Sequence, residues 1–192
     1  MLLQEQKAAI RAEVLAKRDG LAPDSRIEKS LQAAEFGAKN IEFDPGTVIS
    51  GFFPIRSEID PRPLMDVLRI KGARLCLPIV ANKTTILFRE LVRGAELTDT
   101  GFGTRGPGED VEVLDPDILI MPLSAYDLNG GRIGYGAGHY DRAIQRLLDR
   151  NLTPRLIGLA FECQQVSNVP MEPHDQALHA MISEDGFFKI GN

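Results

Sequence analysis

The sequence predicts an α/β fold: three αβα layers built on a mostly parallel sheet with a mixed edge. Three observations predict it. RLCLPIV (74–80), DILIMPL (117–123) and RLIGLAF (155–161) are near-continuous apolar runs, as expected of strands covered on both faces. Segments with helical spacing lie between them, so strands and helices alternate through much of the chain. Two short strand-like runs, 178–183 and 186–190, flank Asp185-Gly186, a turn signal that makes them a closing pair.

The elements follow in order. Residues 4–18 read as a helix with Leu3, Ile10 and Val14 on one side. Lys7, Arg11 and Arg18 form a basic stripe beside that apolar one. Pro23 is placed to open a second helix, about 24–38, with Ile27, Leu31 and Ala34 facing inward. TVISGFF (47–53) is β-branched and aromatic and reads as a strand. PLMDVLRIKG (63–72) reads as a helix stopped by Gly72. TTILFREL (84–91) is the next strand after 74–80. Residues 93–110 are rich in glycine and charge and read as one long loop, either functional or a plain surface excursion. YDRAIQRLLDR (140–150) is a helix with Ile144, Leu147 and Leu148 inward.

Composition narrows the function. With 192 residues, 43% apolar and 26% charged, the chain suits a single domain spanning 1–192 that needs no metal or disulfide staple. The net charge of −5 argues against a nucleic-acid partner. Cys76 and Cys163 form no CxxC pair, which fits a reduced cytoplasmic compartment. The N-terminal stretch has no apolar signal-peptide core, and no segment reaches the roughly 20 apolar residues of a membrane span. A monomer acting on small molecules is expected, with self-association left open.

The sequence concentrates its unusual chemistry in NGGRIGYGAGHYDR (129–142). This stretch lies between a buried strand and a helix. Ligands gather outside the carboxyl ends of strands in such sheets, and a helix N-terminus there offers free N–H groups to an anion. Glycines let those amides come close. Neither standard phosphate motif fits: GxxxxGK[ST] is absent, and Gly134-x-Gly136-x-Gly138 places His139 where GxGxxG needs glycine. By glycine spacing alone, a flexible turn explains the pattern as well as a phosphate cradle does. The neighbours tilt the balance toward a site. Arg132 can pair with phosphate, Tyr135 and Tyr140 can line a pocket, and Asp141 can hold a hard cation. Each keeps a plainer alternative: Asp141 complementing the helix dipole, Arg142 in solvent, His139 as a wall, Tyr140 in packing.

At these residues the sequence resembles the 5-formyltetrahydrofolate cyclo-ligase (methenyltetrahydrofolate synthetase) family. Pro122, Tyr126-Asp127 and GGRIGYGAGHYDR match its signature. KAAIR (7–11) resembles its N-terminal Lys-x-x-x-Arg, FFPIRSEIDPRPLM (52–65) its glutamate-bearing segment, and PHDQALHAMIS (173–183) its Asp-containing stretch. His139 stands where the family more often has an aromatic residue. FGTRGPGED (102–110) lacks the Glu-Pro pair of relatives, so no contact is carried over from it.

The resemblance implies a Rossmann-like fold, related in architecture to phosphosugar isomerases and CoA-transferase-like proteins. It implies ATP-dependent closure of 5-formyltetrahydrofolate to 5,10-methenyltetrahydrofolate with Mg2+. ATP would meet Lys7, Arg11 and the loop of Arg132, Ile133, Gly134, Tyr135, Gly136, Ala137, Gly138, His139 and Tyr140. Folate would meet Phe53, Glu58, Tyr135, Gly136, Ala137, Gly138 and His139, although Phe53 fits core packing equally well. Arg132, Tyr140 and Asp141 would serve catalysis, and Asp141 and Asp175 the metal. Zinc on His174 and His179 is not expected, because i, i+5 spacing does not share a helical face and no cysteine lies near. A phosphosugar isomerase or CoA-transferase-like enzyme, or a non-catalytic nucleotide-binding protein, would use the same anion loop and stands as the alternative.

Overall fold

The computed structural model describes residues 2–101, 103–173 and 175–191. Its centre is a seven-stranded sheet. The strands are β1 (Val48–Ser50), β2 (Arg74–Val80), β3 (Ile86–Glu90), β6 (Ile118–Pro122), β9 (Arg155–Leu159), β10 (Ala180–Ser183) and β11 (Gly186–Lys189). Two further pairs stand apart: β4 (Leu97–Gly101) with β5 (Thr104–Pro107), and β7 (Ala125–Tyr126) with β8 (Arg132–Ile133). The α-helices among the described residues are α1 (Leu3–Asp19), α2 (Pro23–Asn40), α3 (Arg62–Ile70) and α4 (His139–Asp149).

The sheet order is β11-β10-β9-β6-β1-β2-β3. Its five inner strands run parallel, and β3 and β11 close the two edges antiparallel. The apolar runs supply the buried centre, where Leu119, Ile120, Met121 and Ile157 are buried. Two cores result. One holds Ala33, Leu64 and Leu68 from α2 and α3, the other Ala143, Ile144 and Leu147 from α4. The α/β layering expected from sequence is therefore present. No helix among the described residues is long and apolar enough to cross a membrane.

Four local expectations are corrected. Ile27 and Leu31 point outward, at 60% and 50% exposure. The inner face of α2 is instead Ser30, Ala33, Ala34 and Gly37. Small residues are needed there because a Cβ on Gly37 would stand 2.8 Å from Leu64, so α2 lies close against α3. The strand expected over 47–53 ends at Ser50, since the chain turns away at Gly51 beneath Met65. The 93–110 region is not structureless. It folds into the β4–β5 hairpin, with Gly101 and Gly103 at positive φ and Gly106 packed on Ile79. Phe102 lies outside the described residues. Finally, the glycine stretch does not follow β6 directly: β7 stands between them, and the stretch itself contributes β8.

α1 sits off the sheet, against β7 and the single turn Glu162–Gln164. Val14 joins Ala125, Ile133 and Val169 in a third, small core. The apolar side of α1 thus anchors on the segment that carries the glycine loop, and its basic side chains are directed into the same region.

Candidate active site

The C-terminal ends of β1, β2 and β6 open on a cavity of about 420 Å3, within the range of small-molecule sites. Its apolar wall comes from Phe52, Phe53, Pro78, Val80 and Pro122. Every site residue expected from sequence lines it: Lys7, Arg11, Phe53, Glu58, the run Arg132–Asp141 and Asp175. Glu172, Gln4, Ile55, Ile86 and Thr104 join them without having been expected.

The glycine loop is held from several directions. Asp127, buried in the turn between β7 and β8, accepts N–H bonds from Asn129, Gly131 and Val169 at 2.7–2.9 Å. The Gly134 carbonyl accepts from Arg11 Nε at 2.8 Å and from Ser124 Oγ at 3.3 Å. Arg142 donates to the carbonyls of Ala137 (2.6 Å) and Thr84 (2.8 Å), so it clamps the loop while its side chain stays exposed to solvent. Gly138 caps α4 in the left-handed conformation with φ 65°, where a side chain would be strained. The backbone can therefore turn sharply into α4 beside the cavity.

Charged groups meet across this loop. Arg132 donates Nη2 to Asp141 and Nε to the Gln176 carbonyl (3.2 Å). Lys7 Nζ lies 2.5 Å from Asp175 and 3.3 Å from Glu172. Burial alone would lower the Lys7 pKa, but hydrogen bonds and charge from Asp175 and Glu172 raise it. Glu172 is further tied to Gln4 Nε2 at 2.8 Å. The spacing of Glu172 and Asp175 in EPHD was the one signal in the sequence that pointed to this second carboxylate.

At the other end, Glu58 accepts from the Tyr135 hydroxyl (2.5 Å) and the Ile55 N–H (2.8 Å). Burial raises its pKa, while those bonds and the charges of Arg18 and Arg56 act the other way. Arg18, the last member of the basic stripe of α1, is 1% exposed and bonded to Tyr135. Burial pushes the Tyr140 phenol up. Its hydroxyl is buried with no hydrogen-bond partner among the described residues. An orphaned hydroxyl in a cavity wall calls for a partner. Burial and Arg142 both lower the His139 pKa. Phe53 faces the cavity and is not part of either main core.

Among the described residues no three His, Cys, Asp or Glu side chains group as a metal site. Asp141 and Asp175 both line the cavity, each beside a base. That donor set fits a magnesium ion completed by phosphate and water better than a closed protein site. His179 accepts the Leu156 N–H on Nδ1 at 2.8 Å and does not line this cavity. His174 lies outside the described residues.

A sequence profile of the 5-formyltetrahydrofolate cyclo-ligase family matches residues 3–184. The chain belongs to this family. The cyclo-ligase of Escherichia coli K12 is 30% identical over 176 residues, 87% of this chain and 94% of that protein. The Haemophilus influenzae cyclo-ligase is 29% identical over 184 residues, covering 93% and 97%. The solution structure of the Aquifex aeolicus 5,10-methenyltetrahydrofolate synthetase superposes with a TM-score of 0.76 at 26% identity, covering 97% of this chain and 93% of that one. The cyclo-ligase fold and enzyme class are thus shared along the length of the chain.

Proposed function

We propose that this cyclo-ligase family member converts 5-formyltetrahydrofolate and ATP to 5,10-methenyltetrahydrofolate, ADP and phosphate. One observation carries the reading. A single cavity joins an amide-rich loop with bases and carboxylates at one end to a buried carboxylate and aromatic rings at the other.

The formyl oxygen is a poor leaving group. Its attack on the γ-phosphorus, with ADP departing, makes it a phosphate ester. N10 then attacks the formyl carbon, phosphate leaves with the oxygen, and N10 gives up its proton as the ring closes. Such transfer rests on positioning and charge stabilisation. Amides from Ile133 to Tyr140 surround the phosphates, with Lys7, Arg11 and Arg132 supplying positive charge. Asp141 and Asp175 would hold magnesium. The ion neutralises phosphate charge when bound. Tyr140 donates its otherwise unpartnered hydroxyl to the transferring group. Glu58 takes hydrogen bonds from pterin N–H groups, and Phe53 and Tyr135 pack on the folate. His139, its imidazole favoured in the neutral form, walls the loop.

We place the activity in the cytoplasm, where the free thiols Cys76 and Cys163 are stable, and in a monomer. The purified protein mixed with 5-formyltetrahydrofolate and Mg·ATP should develop the near-ultraviolet absorbance of the methenyl product. No signal with ATP, or the same signal without it, would refute the reading.

A further inference from the structure

Arg18 has only hydrogen-bond donors, and that fixes more than its own place. Its Nε donates to Ser57 Oγ at 2.9 Å and its Nη1 to the Tyr135 oxygen at 2.6 Å. Ser57 in turn donates its hydroxyl hydrogen bond to Asp19. The Tyr135 oxygen, already an acceptor, has one proton left to give, and Glu58 Oε1 lies 2.5 Å away. The direction of the whole chain is therefore set: Arg18 to Tyr135 to Glu58. Glu58 Oε2 is fixed by the Ile55 N–H, so both oxygens are oriented while the carboxylate still lines the cavity. The guanidinium also lies 5.8 Å from the Tyr135 ring centre, which restrains the ring.

We propose that Arg18 is a positioning residue for the folate end of the cavity, acting through Tyr135 to hold Glu58 charged and aimed at the ligand. The proposal rests on the cyclo-ligase reading for its ligand. A buried guanidinium needs compensating negative charge. Its nearest carboxylate is Asp19, 3.8 Å from Nη2 and largely in solvent, so Glu58, one hydroxyl away, is the enclosed counter-charge. Glu58 would otherwise meet mainly desolvation. The groups facing it are Arg18 from α1, Tyr135 from the glycine loop, Tyr140 from α4 and Arg56 of its own loop. Arg18 is the buried cation of that set.

The test uses Arg18→Met, which keeps bulk and removes the donors, with Tyr135→Phe and the double variant. Carbon-13 NMR titration of the Glu58 carboxyl reads the effect without any substrate. Its midpoint should rise in Arg18→Met by about one pH unit, the equivalent of one weak charge interaction. Equal midpoints in wild type and variant overturn the proposal. In turnover, Arg18→Met should raise KM for 5-formyltetrahydrofolate about tenfold, as for one lost charge-assisted hydrogen bond, with KM for ATP within about twofold. The double variant should be no worse than the weaker single. Additive losses, or equal rises in both KM values, would overturn the proposal. If Arg18→Met fails to fold, Tyr135→Phe alone must still raise the Glu58 midpoint. A wild-type protein that forms no methenyl product would refute the reading of function, and the titration would still decide the role of Arg18.

Discussion

Lys7 and Asp175, 168 positions apart in the chain, meet with Nζ and Oδ2 separated by 2.5 Å. Their contact joins α1 to the segment before β10 and builds one wall of the cavity. A raised lysine pKa gives stability that is full below the unfolded value and lost as pH climbs through the folded one. The melting difference between wild type and Lys7→Met should therefore stay flat from about pH 6 to about pH 9. Calorimetric scans across that range test it, and a gap that shrinks within the range would assign the effect to another group. The same variant should bind a non-hydrolysable Mg·ATP analogue about tenfold or more weakly by titration calorimetry.

On the proposed function Asp141 has two duties. Asp141→Ala should abolish methenyl formation, as expected of a group that holds the metal. It also strips the carboxylate from Arg132, which is itself buried. The cost should be about 2 kcal/mol, below the ~3–5 of a fully buried pair because Asp141 is about one-third exposed. Asp141→Asn keeps an acceptor for Arg132 and should recover most of that stability without activity. Urea melts beside the absorbance assay separate the duties. Retained turnover in Asp141→Ala would remove the residue from the mechanism.

Glu58 is strained toward its neutral form by burial. An acid with a raised pKa destabilises the fold above that pKa and ceases to do so as pH falls through it. Relative to wild type, the melting stability of Glu58→Gln should therefore improve as pH rises through the Glu58 pKa, set against a pH-independent loss because Arg18 gives up its enclosed counter-charge. The variant's KM for 5-formyltetrahydrofolate should rise while Mg·ATP binding holds. Equal loss of both ligands would argue against a pterin role.

Gly134 has an ordinary φ, and a Cβ there would touch nothing within 4 Å. Gly134→Ala should leave stability unchanged or raise it by up to about 1 kcal/mol. The methyl would project beside the loop amides and weaken nucleotide binding. A thermal melt and a titration with the Mg·ATP analogue check the two halves, and unaltered affinity would place the phosphates elsewhere.

Burial pushes the Cys76 thiol up to about 12, which leaves almost no thiolate at neutral pH. An aromatic disulfide reagent should label Cys163, partly exposed, slowly, and reach Cys76 only as the protein unfolds. Fast labelling of both thiols in the native protein would contradict the packing of β2.

The sheet was legible because apolar runs such as DILIMPL carry their own signal. The glycine loop stood out by its composition, and Lys7-x-x-x-Arg11 was picked out through the family resemblance. Ile27 and Leu31 misled because hydrophobicity was allowed to choose the inner face of α2, where close approach to Leu64 selects small residues. The β4–β5 hairpin escaped notice because LTDTG and TRGP show no alternation of apolar and polar residues. The burial of Arg18 was not legible because nothing near it in sequence announces Ser57 or Tyr135. Its partners arrive from 39 and 117 positions away. The pairing of Lys7 with Asp175 and of Arg132 with Asp141 likewise belongs to tertiary structure.

The span between Lys7 and Asp175 also has a consequence for biosynthesis. At roughly 5–20 residues per second, a ribosome needs about eight to thirty-five seconds to pass from one to the other. Throughout that interval the basic edge of α1 has no acidic wall to meet. On the proposed function, cellular ATP would steady the finished protein by mass action and would offer no such help to the chain still being made.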